Sequence, residues 1–223
     1  MPHVTIVTPM RDAEPYLLDY ARRIGELDHP PEHLRVIAVE GDSVDGTRSM
    51  VEAWAAVDPR VTVVHCEVGG PHYTSIVHPD RFRQLATVFN AGLDRIDLEW
   101  SEWAMLLPVD IDYQPDLLQR LLRWGKSVIS PFVYQNGVFY DIWAFSMENE
   151  FFGPFPELPD PPPDDVGPIE MTTIGGTMLF RRSVLRAGVR YGLAEVDRDF
   201  SRAARAAGFR LWADPTTRVY HRP

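Results

Sequence analysis

Cysteine is nearly absent: Cys66 is the one cysteine in 223 residues. A single thiol excludes an intramolecular disulfide and any zinc site built on cysteines. Cys66 follows a strand-like run, where a buried thiol is the expected role. Long hydrophobic runs are missing as well. No apolar stretch approaches the roughly 18 residues of a membrane helix, and no charged-then-apolar leader opens the chain. The expectation is a soluble, cytoplasmic protein without a membrane span. Positive charge is scarce, with 22 Lys and Arg against 32 Asp and Glu and a net charge of -10. That balance disfavours nucleic acid as a partner, although Arg181, Arg182, Arg186 and Arg190 could form a local basic patch. No internal repeat is visible. What remains, 45% hydrophobic and 24% charged residues, can bury a full core, which points to one domain over 1–223.

Periodicity supplies the architecture. Val4 to Thr8 is β-branched and apolar and reads as a first strand ended by Pro9. Asp12 is placed to cap a helix whose inward face repeats at Tyr16, Leu17, Tyr20, Ala21, Ile24 and Leu27. Leu34 to Val39 and Val61 to His65 are two further strands. Strands alternating with helices indicate a parallel sheet. A helix follows over 80–93, with Phe82, Leu85, Ala86, Phe89 and Leu93 apolar. Trp103 to Asp112 is an apolar run of the kind that forms a buried parallel strand. Asn136-Gly137 between apolar runs signals a hairpin. Residues 146–169 hold seven prolines and cannot be helix or central strand. They are expected to form a mobile flap that packs down partly through Phe151, Phe152 and Phe155. Gly175-Gly176 sits in a strand-like run, where glycine marks close approach of backbone or ligand. A last helix carries the apolar stripe Phe200, Ala203, Ala204 and Ala207, and two short strands, Phe209 to Trp212 and Arg218 to Tyr220, follow.

Chemistry concentrates at the carboxyl ends of these strands, where open α/β sheets bind ligands. Asp110 and Asp112 end the central run and could together hold a hard divalent cation that grips phosphate oxygens. Two solvated carboxylates capping the next helix would produce the same pattern. Glu40 to Thr47 is an acidic, Gly-rich loop in which one carboxylate can accept from a nucleobase N–H or a ribose hydroxyl; helix capping explains it equally. Arg11 lies in a loop at a strand end, where a diphosphate would sit. Arg81 and Arg83 occupy a first helical turn, unfavourable for cations unless an anion is near. Asp141 and Trp143 lie in an aromatic stretch that can contact a sugar. Asp197 and Asp199 start the last helix, a position that stabilises carboxylates whatever their role.

In this order the pieces resemble the GT-A-fold glycosyltransferases, family 2-like branch. Val4 to Pro9 with Arg11-Asp12-Ala13-Glu14 looks like the opening strand and donor loop. Val39 through Thr47 is similar to a Val-Asp-Asp-Gly-Ser-Thr-Asp-Gly-Thr element, with Glu40 and Gly41 replacing its two aspartates. Asn90-Ala91-Gly92-Leu93 matches a helix end, with Phe89 where arginine is usual. Leu107 to Asp112 matches the Asp-x-Asp element. Gly175 to Arg182 is similar to the acceptor-side Gly-Gly strand. Val196-Asp197-Arg198-Asp199-Phe200 resembles Glu-Asp-x-Asp-Phe, with Val196 in place of glutamate. Val219-Tyr220-His221 looks like the terminal strand. The opening loop also resembles the fungal mannan-polymerase-type mannosyltransferases, which retain anomeric configuration where family 2 inverts it.

The resemblance implies an α/β GT-A fold: a Rossmann-like three-layer α/β/α arrangement with a mostly parallel central sheet and a smaller acceptor-side mixed sheet. Residues 1–112 would bind the nucleotide sugar and residues 113–223 the acceptor, beneath the flap at 146–169. It implies a UDP- or GDP-linked sugar donor held by Thr8, Pro9, Arg11, Glu14, Glu40, Asp42, Arg81, Arg83 and Asp110. Mn²⁺ or Mg²⁺ would sit on Asp110, Asp112 and His221. Asp197, or Asp199 in its place, would be the general base of an inverting transfer, with Asp141, Trp143, Gly175 and Gly176 on the acceptor side. The acceptor hydroxyl could belong to a glycan, a small molecule or a modified DNA base. Two rival expectations stay open: a nucleotidyltransferase, and a non-catalytic sugar- or nucleotide-binding domain.

Overall fold

The computed structural model describes residues 1–73, 78–140, 142–148, 150, 151, 153, 155, 157–159, 162, 163 and 165–222. Its elements in chain order are β1 (Val4–Met10), α1 (Glu14–Gly25), β2 (Leu34–Glu40), α2 (Thr47–Val57), β3 (Val61–His65), α3 (Pro79–Leu93), β4 (Trp103–Leu106), β5 (Ile111–Asp112), α4 (Leu117–Leu122), β6 (Val128–Gln135), β7 (Val138–Phe139), β8 (Ser146–Met147), β9 (Glu150–Phe151), β10 (Ile169–Met171), β11 (Met178–Arg181), α5 (Arg182–Arg186), α6 (Asp197–Ala206) and β12 (Leu211–His221).

One sheet runs in the order β10-β12-β6-β11-β4-β1-β2-β3, with β5 added to β12 and β7 to β6. Strands β3, β2, β1 and β4 are parallel neighbours. Strand β11 inserts antiparallel between β4 and β6, and β12 returns parallel to β6. The mixed acceptor-side part is therefore continuous with the parallel part, and β8–β9 form a separate pair. Alternate strand residues face opposite layers, as the two-residue period of a strand requires. Ile6, Val36, Met105 and Leu179 pack under α1, α2 and α4. Val7, Ile37, Leu106 and Phe180 pack under α3, α5 and α6. The expected three layers are present.

Three local expectations change. β1 continues through Pro9 to Met10, because β4 flanks β1 only as far as Val7; beyond it β1 borders β2 alone, and a missing N–H is tolerated at such an edge. Asp12 does not cap α1, whose cap residue is Ala13. Asp12 has φ of 50°, and its carboxylate accepts the Val44 N–H at 2.8 Å, which ties the first loop to the second. The two short C-terminal strands are one strand, β12, with a register shift between Asp214 and Arg218. Its bulge is filled by the buried Asp214 carboxylate, which accepts from the Thr216 and Thr217 hydroxyls and from Trp124 Nε1. Within the Pro-rich segment, Phe155 packs 4.8 Å from the Phe132 ring, while Arg218 binds Glu157 and the Leu158 carbonyl. Phe152 lies outside the described residues. The Asn136-Gly137 hairpin forms as expected, with φ of 52° and 76°. Among the described residues no helix is long and apolar enough to cross a membrane.

Candidate active site

The carboxyl ends of β1, β2 and β4 open into a cavity of about 610 Å³, within the size range of small-molecule and cofactor sites. Pro9, Met10 and Arg11 enter it from β1, Gly41 and Asp42 from the end of β2, and Val68, His72 and Tyr73 from the loop after β3. Helix α3 lends Arg81 and an apolar wall of Phe82, Leu85, Val88 and Phe89. Opposite stand Pro108, Val109, Asp110 and Ile111 after β4, His221 from β12, and Gly176, Val196, Asp197 and Arg198.

Of the residues expected at the nucleotide end, Pro9, Arg11, Asp42, Arg81 and Asp110 line this cavity, and Thr8, Glu14, Glu40 and Arg83 do not. Thr8 is fully buried beneath it. Glu14 points sideways and accepts the Gly46 N–H at 2.7 Å, so it joins α1 to the loop before α2. Glu40 is fully buried, with Arg48 Nε at 2.8 Å and His65 Nδ1 at 3.2 Å from its carboxylate. Burial opposes its charge, but hydrogen bonds from Arg48, Ser43 and His65 outweigh that and hold the carboxyl below its ordinary range. Its neighbour Gly41 explains why an aspartate is not present there: a Cβ would stand 1.9 Å from the Cys66 carbonyl oxygen. Asp42 has φ of 59° and accepts the Val68 and Gly69 N–H groups, shaping the backbone of the cavity wall. Arg83 turns outward to Asp80 at 2.8 Å; the acid that offsets the cation at the start of α3 is a side chain of the helix itself. Arg11 reaches the Gly70 carbonyl at 3.1 Å.

The two aspartates of the Asp-x-Asp element part company. Asp110 lies in a turn, where the Ile111 N–H donates to the Pro108 carbonyl, and only then does β5 begin. The turn breaks the i, i+2 alternation that would aim both acids the same way. Asp110 faces the cavity, with Oδ2 3.3 Å from His221 Nε2. Asp112 faces α1 instead, paired with Arg222 and, at 3.2 Å, with Arg23. Arg222 also binds Asp19. Hydrogen bonds from Arg22, Arg222 and Arg23 hold the Asp19 carboxyl far below the usual range. Of the three residues expected to hold a metal, Asp110 and His221 line the cavity, whereas Asp112 does not and shares Arg23 and Arg222 with Asp19. Among the described residues no group of three His, Cys, Asp or Glu converges as a ready-made metal site. Asp110 and His221 offer one oxygen and one nitrogen, a set that suits a cation whose other ligands come from bound phosphate and water.

Of the two acids expected as base, Asp197 lines the cavity at the N-terminus of α6, and Asp199 does not. Asp199 accepts the Ala194 and Glu195 N–H groups and pairs with Arg202, so its carboxylate is turned onto the preceding loop rather than into the cavity. Gly175 makes room for Asp197: a Cβ there would lie 2.4 Å from Ala144 Cβ and 2.8 Å from Asp197 Cβ. Gly176 lines the cavity with φ of 67°. Val196, immediately before Asp197, is held at φ of 43°, a costly conformation for a β-branched residue and one that clusters at functional sites. Burial, and after it the Asp197 carboxylate, pushes the Tyr191 phenol well above its ordinary range. Trp143 stands at the rim, half exposed. Asp141 lies outside the described residues. No described residue of 146–169 lines the cavity.

Sequence reasoning missed Tyr140, whose ring stacks on His221 at 4.4 Å, and Gln135, whose amide lies 3.1 Å from His221 Nδ1. A hairpin just upstream of an aromatic run was the available signal for both. The basic patch expected at the four arginines does not stay free: Arg181 covers Trp103, Arg182 caps the Leu98 carbonyl, Arg186 pairs with Glu99 and Arg190 with Asp94.

The geometry has counterparts. The family model "Glycosyl transferase family 2" matches residues 5–188. The TuaG protein of Bacillus subtilis (strain 168), named for teichuronic acid biosynthesis as a glycosyltransferase, is 33% identical over 66 residues, 30% of this chain and 25% of that one. Staphylococcus aureus TarS 1–349, solved with UDP-GlcNAc, superposes with a TM-score of 0.68 at 14% identity over 99% of this chain and 58% of that one. The mannosyltransferase PcManGT of Pyrobaculum calidifontis, solved with GDP-Man and Mn²⁺, gives 0.65 at 20% identity over 99% and 56%. The chain spans a quarter of TuaG and less than two thirds of either solved chain, and at these identities the two structures speak for the GT-A fold. The chain belongs to glycosyl transferase family 2.

Proposed function

We propose that this protein transfers a sugar from a nucleoside diphosphate sugar to a hydroxyl acceptor, with inversion at the anomeric carbon. The observation that carries the reading is one cavity with the Asp110–His221 pair on one wall and Asp197, at a helix N-terminus, on another. Arg11 and Arg81 would meet the diphosphate as charge-assisted donors, while Pro9, Asp42 and the wall at Gly41 and Val68 would border the nucleoside. UDP- and GDP-linked sugars are the donors favoured, since TarS was solved with the first and PcManGT with the second. Asp110 and His221 would hold Mn²⁺ or Mg²⁺; bound there, the cation would offset charge on the departing diphosphate. Asp197 would take the proton from the acceptor hydroxyl as its oxygen bonds to the anomeric carbon and the bond to the diphosphate breaks. Gly176 and Trp143 border the space left for that acceptor, the ring of Trp143 offering an apolar face to a sugar. Thermal-shift measurement with UDP, GDP, CDP and dTDP sugars and Mn²⁺ tests the donor class, followed by transfer or slow hydrolysis of the donor that stabilises. Stabilisation by a nucleoside triphosphate alone, with nucleotidyl transfer to a sugar phosphate, would replace this reading with a nucleotidyltransferase. Binding without transfer or hydrolysis would leave a non-catalytic domain.

A further inference from the structure

Gln135 ends β6 at the hairpin turn, paired with Val138, and its side chain reaches across to the last strand. Its amide nitrogen stands 3.1 Å from His221 Nδ1 and 3.4 Å from the Arg222 carbonyl oxygen. A carbonyl can only accept, so the end of the amide facing it is the NH₂. The other hydrogen of that NH₂ then points at Nδ1, which must accept with its lone pair. A neutral imidazole whose Nδ1 accepts carries its proton on Nε2. Nε2 faces the Asp110 carboxylate at 3.3 Å, a natural acceptor for that proton. Tyr140 stacks on the ring at 4.4 Å, and the Arg222 N–H binds the Asp110 carbonyl at 2.9 Å, so the ring plane and the strand end are both fixed. What stays adjustable is the position of the ring proton.

We propose that Gln135 is a positioning residue that sets which nitrogen of His221 offers a lone pair to the cavity, and thereby tunes how the site takes a divalent cation. The proposal rests on the reading of His221 as a metal ligand. In the arrangement described, Nε2–H is closed onto Asp110. To present a lone pair at Nε2, the ring proton moves to Nδ1 through solvent, with no net change in protons. The Gln135 amide then turns so that its carbonyl oxygen accepts Nδ1–H, giving up the Arg222 contact. Partners of this kind behind a ligating histidine change metal affinity by about 10–100-fold.

The test compares wild type, Gln135→Glu, Gln135→Leu and His221→Ala. Two readouts are used: imidazole ¹⁵N shifts of His221 in the metal-free protein, and Mn²⁺ binding in the presence of UDP or GDP followed by electron paramagnetic resonance. The expected result is an Nε2–H ring in wild type, an Nδ1–H ring in Gln135→Glu with Mn²⁺ bound about 10-fold tighter, and a mixed tautomer in Gln135→Leu. Unchanged tautomers in both Gln135 variants overturn the proposal. So does tighter Mn²⁺ binding in Gln135→Glu with the tautomer unmoved, since added negative charge alone would do that. If His221→Ala binds Mn²⁺ as wild type does, the metal-ligand reading falls and this proposal with it. If His221→Ala weakens binding while the Gln135 variants change neither readout, only the Gln135 assignment falls.

Discussion

A single methyl group at residue 175 reaches the proposed reaction centre. Built onto Gly175, a Cβ lies 2.4 Å from Ala144 Cβ and 2.8 Å from Asp197 Cβ. Carbon atoms in contact sit about 3.5–4.0 Å apart, so in Gly175→Ala the neighbours must retreat by about 1 Å. The backbone at 175 needs no left-handed conformation, so the cost is steric. Overpacking of this kind destabilises by about 1–3 kcal/mol, which for a domain of this size lowers Tm by about 2–12 °C. Displacing a catalytic group by about 1 Å costs on the order of 10²-fold in rate. The assay is kcat at saturating sugar nucleotide, with nucleotide affinity and Tm measured on the same preparation. Gly25→Ala is the control, since nothing lies within 4 Å of that Cβ. The expected result is a turnover loss of about 10²-fold with nucleotide affinity kept. Wild-type kcat and Tm in Gly175→Ala would refute the claim that this glycine exists to admit Asp197.

Asp197→Asn is expected to lower turnover by at least ~10²-fold while nucleotide still binds; near-normal turnover would remove Asp197 as the base. Gly41→Ala places a Cβ 1.9 Å from the Cys66 carbonyl oxygen, and its melting temperature is expected to fall more than that of Gly175→Ala, because a backbone atom yields less than a side chain. Asp19, held far down by Arg22, Arg222 and Arg23, has a folded pKa below its unfolded value. Its contribution to stability is therefore complete above the unfolded value of about 4 and is lost as pH falls below it. Asp19→Asn should flatten the acid limb of a Tm–pH profile; an unchanged limb would contradict that linkage.

The parallel half of the sheet was readable because β1, β2 and β3 are apolar runs bounded by turn residues, and α3 carries a clean stripe. The hairpin at Asn136-Gly137 was readable from two residues. Side-chain direction at strand ends was not. Asp110 and Asp112 are indistinguishable by spacing, yet one turn bonded through Pro108 and Ile111 sends them to opposite sides. Glu40 looked like a ligand contact because its position at the end of β2 was right; only Arg48 and His65, brought in from α2 and β3, show it to be an internal anchor. Asp197 and Asp199 differ for a similar reason. Close packing of Gly192 beneath Asp199, where a Cβ would come within 2.5 Å of the Asp199 Cβ, turns that acid back onto the 194–195 backbone. The fusion of the last two strands depended on a buried network at Asp214 that no local pattern announces.

The proposed metal site turns on which acid meets the diphosphate. Isothermal titration of UDP or GDP, with and without Mn²⁺, into wild type, Asp110→Ala and Asp112→Ala measures this directly. Asp110→Ala is expected to lose the Mn²⁺-dependent gain in affinity, while Asp112→Ala keeps it, weakened by no more than about 10-fold through a loosened strand end. Loss of metal dependence in Asp112→Ala with Asp110→Ala unaffected would contradict it.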